Sequence, residues 1–253
     1  MADFPIETHR FASFDGTELA WTEMGEGRPV VLIHGYFSTA EVNWIKFGHA
    51  AKVAAQGCRV IMPDLRAHGL SAKPHDPAAY PRDVLMHDGL ALVAHLGLTD
   101  YALGGYSLGA RTVVRMLANG AAPGRVILSG MGLTGLMETE GRGEYFRRVL
   151  TNLGSFERGS SEWLTEAFLK TTKGDPEALL LILQTFVDTP REAIAAIAQP
   201  TVVIAGDEDY DNGSAQDVAA LLPHGIFREV PGTHMSAVTK PELGDAMAAF
   251  LAG

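Results

Sequence analysis

The sequence predicts an α/β protein in which a mostly parallel central β-sheet carries helices on both faces. Short runs rich in Val, Ile and Leu recur along the chain, at 30–35, 59–64, 101–107, 125–130 and 201–207. Such nearly continuous hydrophobic runs are typical of strands that are buried on both faces of a parallel sheet. Segments of helical length and composition separate the runs, for example 43–57, 83–96 and 107–120. Because parallel strands need long crossover connections, this alternation favours the α/β class.

The two ends of the chain predict further elements. Residues 11–25 alternate apolar and polar side chains around Asp15 and Gly16, and an Asp-Gly pair flanked in this way is a strong hairpin signal. We therefore expect an antiparallel edge before the parallel strands. Towards the C-terminus, residues 226–230 predict the last strand and residues 241–251 the last helix.

Residues 133–193 interrupt the alternation of strands and helices. Their apolar residues follow a helical spacing, and no strand-like run occurs among them. The segment is also far longer than an ordinary connection between two elements. We interpret it as a helical cap inserted into a core domain that comprises residues 1–132 and 194–253.

Composition and charge exclude several classes of partner. The 253 residues carry a formal net charge of −10 without a cluster of Lys and Arg, so nucleic acid and anionic membranes are not expected partners. Cys58 is the one cysteine, which excludes an internal disulfide and a cysteine-based zinc site. The N-terminal residues lack the pattern of a signal peptide, which predicts a cytoplasmic protein. The sequence leaves the oligomeric state open.

Residues 105–109 read Gly-Tyr-Ser-Leu-Gly, and Ser107 within them is either a turn residue or a nucleophile. A strand-like run precedes the serine and a helix-compatible run follows it. A nucleophile at a sharp strand-to-helix turn needs small residues two positions away, which Gly105 and Gly109 provide. The following helix directs its N-terminus at the serine, so the Leu108 N–H would face a developing oxyanion. The alternative is a glycine-rich turn in which the serine caps a helix.

A nucleophilic serine needs a histidine as general base and a carboxylate that orients this histidine. His234 follows the last predicted strand and so lies at the same edge of the sheet as Ser107. His34 and His68 lie at that edge too, but their glycine and apolar neighbours predict a structural role. A second oxyanion donor is expected after the first parallel strand, where the Tyr36 N–H would face the nucleophile. The end of a later strand offers the candidate carboxylates, namely Asp207, Glu208, Asp209 and Asp211.

Five stretches together resemble the α/β-hydrolase fold superfamily, in particular its serine carboxylesterase and lipase-like members; they read GRPVVLIHG, DLRAHGLSAKP, GGYSLGA, VVIAGDEDYD and GTHMS. They follow the order and spacing of that family over nearly the whole chain. The resemblance implies that Ser107 is the nucleophile and His234 the base, and that the N–H groups of Tyr36 and Leu108 form the oxyanion hole. It also implies Asp209 as the acid, because the family pattern is a glycine, two further residues and an aspartate.

Two positions depart from the family pattern. Ala67 replaces a glycine, and we interpret it as a tolerated small residue in a structural loop. Tyr106 stands where the family often has a histidine, and we expect it to point away from the reacting face and to affect packing only. Dehalogenases and epoxide hydrolases of this fold have an aspartate in place of Ser107, so the resemblance excludes both. Residues 131–134 hold no carboxylate, which excludes a relocated acid.

The resemblance implies a serine carboxylesterase that hydrolyses small to medium carboxylic esters through an acyl-enzyme, without a metal or cofactor. Two other enzymes share these residues, a thioesterase and a carbon–carbon bond hydrolase. The latter needs basic groups in the cap for a dienoate-type acid, and such groups are present as Arg142, Arg147 and Arg148. The alternative outside enzymes is a ligand receptor that keeps the fold without catalysis. The side chains expected to line the ester pocket are Phe37, Phe146, Trp163 and Met235.

Overall fold

The computed structural model describes residues 4–253 and contains one eight-stranded sheet over that range. The strands are β1 (Ile6–Ala12), β2 (Glu18–Met24), β3 (Arg28–Ile33), β4 (Cys58–Pro63), β5 (Ala102–Tyr106), β6 (Arg125–Ser129), β7 (Thr201–Gly206) and β8 (Gly225–Val230). Their order in the sheet is β1-β2-β4-β3-β5-β6-β7-β8. β1 and β2 form the predicted hairpin and β2 pairs with β4 antiparallel, whereas the other pairs are parallel. The predicted mostly parallel α/β sheet is confirmed.

Helices connect the strands as predicted, with one difference. The helix predicted over 43–57 is shorter, because Gly48 adopts φ +78 and separates a π-helical turn (Glu41–Ile45) from the first α-helix. No helix within residues 4–253 is long and apolar enough to cross a membrane. The α-helices of this range are α1 (His49–Ala54), α2 (Val84–His95), α3 (Leu108–Ala118), α4 (Leu133–Met137), α5 (Thr139–Thr151), α6 (Ser161–Thr171), α7 (Pro176–Leu183), α8 (Arg191–Ala195), α9 (Ala215–Leu221), α10 (His234–Ala237) and α11 (Pro241–Ala252).

Side chains alternate between the two faces of the sheet and determine which helices pack on each face. On β3, Val30 and Leu32 belong to a buried cluster that includes apolar residues of α1 and α11. Val31 and Ile33 belong to a second cluster, which includes apolar residues of α2, α3 and α9. Because both faces of the central strands are buried, these strands form continuous hydrophobic runs in the sequence. Helices therefore cover both faces, as predicted.

The connection between β6 and β7 contains α4 to α8, and its described residues form no strand. Apolar side chains from these helices, including Leu136, Leu150 and Leu179, join the cluster that contains α2 and α3. The elements agree with the helical pattern predicted for residues 133–193. The division of this segment from the core as a separate cap stays a prediction.

A buried ion-pair network holds the loop after β4. Arg66 is fully buried and donates to Asp88 at 2.7 and 3.0 Å and to Asp15 of the hairpin at 2.7 and 3.0 Å. Asp88 also accepts a hydrogen bond from the Ser13 hydroxyl at 2.5 Å. Ala67 adopts φ +68, a left-handed conformation that the usual glycine would adopt without steric cost. These contacts support the structural role predicted for this loop.

Candidate active site

Ser107 lies at the sharp turn between β5 and α3. Its backbone has φ +53 and ψ −115, a conformation that costs a non-glycine residue about 1–3 kcal/mol. A Cβ at Gly105 would come within 2.3 Å of the Gly109 carbonyl carbon, and a Cβ at Gly109 within 1.9 Å of the Ile33 carbonyl oxygen. Only glycine fits at these two positions. The glycines identified in the sequence therefore permit the strained turn that carries the serine.

The side chains of Ser107, His234 and Asp209 form a continuous chain of hydrogen bonds. His234 Nε2 lies 3.0 Å from Ser107 Oγ, and His234 Nδ1 lies 3.0 Å from Asp209 Oδ2. Because an ionised carboxylate accepts but cannot donate, it favours the tautomer with the proton on Nδ1. Nε2 is then free to accept the proton of the serine hydroxyl. The His234 and Asp209 side chains are 7% and 4% exposed, so water competes little for these bonds.

The neighbouring carboxylates of the loop after β7 have other partners. Asp207 accepts a hydrogen bond from the Gly232 N–H at 2.7 Å and so joins the loop after β7 to the loop after β8. Asp211 accepts a hydrogen bond from Arg142 of α5 at 2.8 Å. Among these aspartates, the contact with the histidine is made by Asp209, which lies between them in the sequence.

Tyr106, which we expected to point away from the reacting face and to affect packing only, packs against the histidine of this site. Its hydroxyl donates to the backbone carbonyl of His234 at 2.6 Å, and its ring centroid lies 5.4 Å from that of the imidazole. Burial raises the pKa of Tyr106 well above its usual value, so the hydroxyl keeps its proton. Tyr106 belongs to the buried cluster that contains residues of α1 and α11, and a buried tyrosine needs a partner for its hydroxyl. Its expected role in packing alone stays a prediction.

Two backbone N–H groups beside Ser107 have no hydrogen-bond partner among residues 4–253. They belong to Tyr36, in the loop after β3, and to Leu108, the first residue of α3. The loop after β3 lies against the serine, since a Cβ at Gly35 would be 3.4 Å from Ser107 Cβ. The N-terminus of α3 adds positive partial charge on this side. The two groups are available to a developing negative charge, and their role as an oxyanion hole stays a prediction.

Two buried histidines, His34 and His68, hold the loop after β3. His34 Nε2 accepts from the Leu65 N–H at 3.0 Å, and its Nδ1 lies 2.7 Å from the Gly35 carbonyl oxygen. His68 Nε2 accepts from the Phe37 N–H at 3.3 Å, and its Nδ1 lies 2.9 Å from a backbone carbonyl. Each ring accepts at one nitrogen and must therefore be neutral. Burial lowers the pKa of His34 to about 4 and that of His68 to about 3.

These two histidines predict a loss of stability in mild acid. An unfolded histidine has a pKa of 6.5, and the folded values are lower, so the unfolded chain binds more protons as the pH falls below 6.5. The free energy of unfolding should therefore decrease by about 2–4 kcal/mol from about pH 7 to about pH 5. Urea denaturation at both pH values measures this change in the free energy of unfolding. The decrease should be smaller in His68→Gln, and an unchanged free energy in the wild type would contradict the prediction.

A cavity of about 290 Å³, including its open mouth, lies beside Ser107. Met131, Phe146 and Phe186 give it apolar walls, and its polar lining includes Arg111 and Arg142. The cavity therefore places apolar and cationic side chains next to the serine.

Of the four side chains predicted for the pocket, Phe146 lines this cavity and the other three do not. Phe37 is 2% exposed and stacks on Tyr36 with 4.4 Å between the ring centroids. It adopts φ +60, and its ring packs into the core. Met235 is 52% exposed on α10, and Trp163 lies on α6. The prediction for Phe37 and Met235 rested on proximity to catalytic motifs, and that for Trp163 on its place in the helical segment. Neither property determines where a side chain points.

One cluster of described residues has the spacing of metal ligands, and it lies on the β1–β2 hairpin rather than near Ser107. Its members are Glu7, His9 and Glu23. Glu23 is already engaged in an ion pair with Arg59 at 2.6 Å. Within residues 4–253, no such cluster surrounds the serine. The site therefore consists of the serine, histidine and aspartate, two free N–H groups and the adjacent cavity.

Comparison with known proteins identifies the family to which this chain belongs. The model of the Alpha/beta hydrolase family matches residues 30–243. The chain therefore belongs to the alpha/beta hydrolase family, and its relatives support a hydrolytic enzyme.

The relatives include proteins of several named activities. A non-heme haloperoxidase of Rhodococcus erythropolis is 28% identical over 257 residues, covering 86% of this chain and 89% of the relative. A bromoperoxidase of Bacillus anthracis has a TM-score of 0.79 at 23% identity, over 98% of this chain and 100% of that structure. An esterase of Exiguobacterium antarcticum has a TM-score of 0.78 at 17% identity, over 96% of this chain and 99% of that structure. The two structures show that the fold is shared.

Proposed function

We propose that this protein is a serine carboxylesterase that hydrolyses small carboxylic esters through an acyl-enzyme intermediate. The observation that carries the proposal is the hydrogen-bonded chain from Ser107 Oγ through His234 to Asp209, with 3.0 Å at each step. A serine hydroxyl is a weak nucleophile unless a base removes its proton. This arrangement supplies the base and the group that orients it.

Acylation begins with attack of Ser107 Oγ on the ester carbonyl carbon, while His234 Nε2 takes the hydroxyl proton. The carbonyl oxygen becomes negative in the tetrahedral intermediate and accepts from the Tyr36 and Leu108 N–H groups. The intermediate collapses when the carbon–oxygen bond to the leaving alcohol breaks, and His234 gives its proton to that alcohol. Asp209 stabilises the imidazolium that exists between the two proton transfers.

Deacylation repeats these steps with water as the nucleophile. His234 Nε2 removes a proton from the water as its oxygen attacks the acyl carbon of the Ser107 ester. The second tetrahedral intermediate releases the carboxylic acid, and the proton returns to Ser107 Oγ. The cycle needs no metal or cofactor, since every proton and electron pair moves between the substrate, water and these side chains.

The serine distinguishes this proposal from some of the named activities of the family. An epoxide hydrolase of this fold would need an aspartate in place of Ser107 as its nucleophile. A thioesterase and a carbon–carbon bond hydrolase would use the same three side chains, and we favour ester hydrolysis because it needs no group beyond those described. A receptor would keep the site without turnover, and turnover therefore separates it from the enzymes.

The proposal is tested by hydrolysis of p-nitrophenyl acetate together with active-site labelling. We expect turnover, and we expect a fluorophosphonate probe to label one peptide, the one that contains Ser107, because its hydroxyl has an adjacent base. Wild-type protein denatured before labelling is the control for nonspecific reaction. Absence of both turnover and labelling would contradict the proposal and would favour the receptor. Labelling without hydrolysis of any oxygen ester, combined with hydrolysis of thioesters, would favour the thioesterase.

A further inference from the structure

Two arginines, Arg111 of α3 and Arg142 of α5, line the cavity that contains Ser107. The described residues that line this cavity include no carboxylate. The protein as a whole carries a formal net charge of −10, so positive charge at this place does not reflect the general composition. The two cations lie on different elements, one on the core and one on the segment between β6 and β7.

Arg111 is the more unusual of the two, because it is buried without a carboxylate partner among residues 4–253. It is 5% exposed. Its Nε donates to the Gly135 carbonyl oxygen at 3.0 Å, and its guanidinium lies 4.9 Å from the Phe186 ring centroid. No residue in 4–253 accepts a hydrogen bond from its Nη1 or Nη2. Burial of an unpaired cation is costly unless a ligand supplies the missing charge.

The charge of Arg111 persists at neutral pH. Burial lowers its pKa to about 10, and the positive charge of Arg142 acts in the same direction. Asp188 opposes them, but it is exposed and accepts a hydrogen bond from the Thr139 N–H at 2.8 Å. Two like charges therefore act on each other at this cavity, and an anion between them would relieve the repulsion.

Arg142 of α5 also offers hydrogen-bond donors to an anion in this cavity. Its Nη2 donates to Asp211 at 2.8 Å, and its guanidinium lies 4.9 Å from the Phe146 ring centroid. A guanidinium has five N–H donors, so this ion pair leaves others available. Its side chain is 28% exposed, which suits a group at the mouth of the cavity.

Arg111 lies on α3, the helix that begins directly after Ser107. Arg111 follows Ser107 by four residues, and the Arg111 N–H donates to the Ser107 carbonyl oxygen at 3.0 Å. Ser107 lies at the N-cap of α3, outside the helix itself, and its side chain and that of Arg111 line the same cavity. A second cavity, of about 250 Å³ including its open mouth, shares Leu108, Arg111 and Phe186 with the first. Arg111 thus lies where the two cavities meet, and it shares the first of them with Ser107.

We propose that the ester taken by this site carries a free carboxylate on its acyl chain, as in a monoester of a short dicarboxylic acid, and that Arg111 and Arg142 bind this carboxylate. The planar fork of a guanidinium matches the two oxygens of a carboxylate. The inference rests on the proposed function, because it places the ester carbonyl at Ser107. It goes beyond that function by naming the charge of the substrate.

The test compares two phenyl esters of equal acyl length, phenyl hydrogen glutarate and phenyl pentanoate. The measured quantity is the ratio of kcat/KM for the anionic ester to that for the neutral ester, with Ser107→Ala giving the background rate. We expect the wild type to prefer the anionic ester. Arg111→Met should lower the ratio by about 10- to 100-fold, the value of one or two charge-assisted hydrogen bonds. Arg142→Met should lower it less, and Arg147→Met, which removes an exposed arginine paired with Glu144, should leave it within about twofold.

A second measurement covers the case in which Arg111→Met does not fold. Glutarate should compete with phenyl pentanoate in the wild-type enzyme, and neutral glutaramide should not. The inference is overturned if the ratio is the same in wild type, Arg111→Met and Arg142→Met, or, where Arg111→Met is unfolded, if glutarate does not compete. Hydrolysis of neither ester above the Ser107→Ala rate would instead contradict the proposed function, and stabilisation of the wild type by glutarate in thermal unfolding would then still support an anion site.

Discussion

Replacing Ser107 with alanine is expected to reduce kcat/KM for an activated ester by about 10⁴-fold or more, with little change in the free energy of unfolding. The reason is that Ser107 Oγ is the atom to which His234 Nε2 is hydrogen-bonded at 3.0 Å. Without the hydroxyl no acyl-enzyme forms, and only the polarisation of the carbonyl by the free N–H groups remains. Initial rates on p-nitrophenyl acetate and urea denaturation measure the two quantities.

Ser129→Ala is the matched control for this substitution. Ser129 is a buried serine near the site, it lies on β6 opposite Tyr106, and its hydroxyl has no hydrogen-bond partner among the described residues. Its replacement should leave the activity within about threefold of the wild type, since no hydrogen bond is lost. If Ser107→Ala kept more than a few per cent of the wild-type activity, Ser107 would not be the nucleophile.

Asp209→Asn is expected to lower kcat by up to about 10⁴-fold with a small change in KM. Asn can donate a hydrogen bond to His234 Nδ1, which allows the tautomer with the proton on Nε2, and the equivalent change in serine proteases has an effect of about this size. In that tautomer Nε2 cannot accept the proton of Ser107. Because the side chain keeps its shape, substrate binding should be largely preserved.

Asp207→Asn and Asp211→Asn are the controls for the acid, because both lie in the same loop. Asn at 207 can still accept the hydrogen bond that Asp207 receives from the Gly232 N–H. Asn at 211 loses the ion pair with Arg142, which should affect KM more than kcat. Both variants should stay within about tenfold of the wild-type kcat. A dominant loss in Asp207→Asn would transfer the role of the acid to Asp207.

The sequence is sufficient to predict the sheet and the loops that surround the site. Strands buried on both faces are hydrophobic at every position, as Val30 to Ile33 are, so they are recognisable without an alignment. In parallel strands the loops at the carboxyl ends lie at one edge, which places Ser107, Asp209 and His234 close to each other. The strained turn is also visible, because it demands glycine at 105 and 109.

The contacts of individual side chains are much harder to predict. The hydrogen bond from Tyr106 to the His234 carbonyl joins residues 128 positions apart, and no local pattern reports such a pairing. Arg111 has the appearance of an ordinary helical residue in the sequence, and only burial against Phe186 and Gly135 reveals it as a wall of the cavity. Phe37 was misplaced because a positive φ, which sequence patterns indicate poorly for a phenylalanine, turns its ring into the core.

The connection from β6 to β7 contains five helices, α4 to α8, where one crossover helix would join two parallel strands. Ser107, His234 and Asp209 all lie outside this connection. In a mutant library restricted to residues 133–193, we therefore expect substrate preference to change while the bond-breaking chemistry is retained. The ion pair between Arg142 and Asp211 links these helices to the loop that carries Asp209, so substitutions at Arg142 are the ones expected to affect that loop as well.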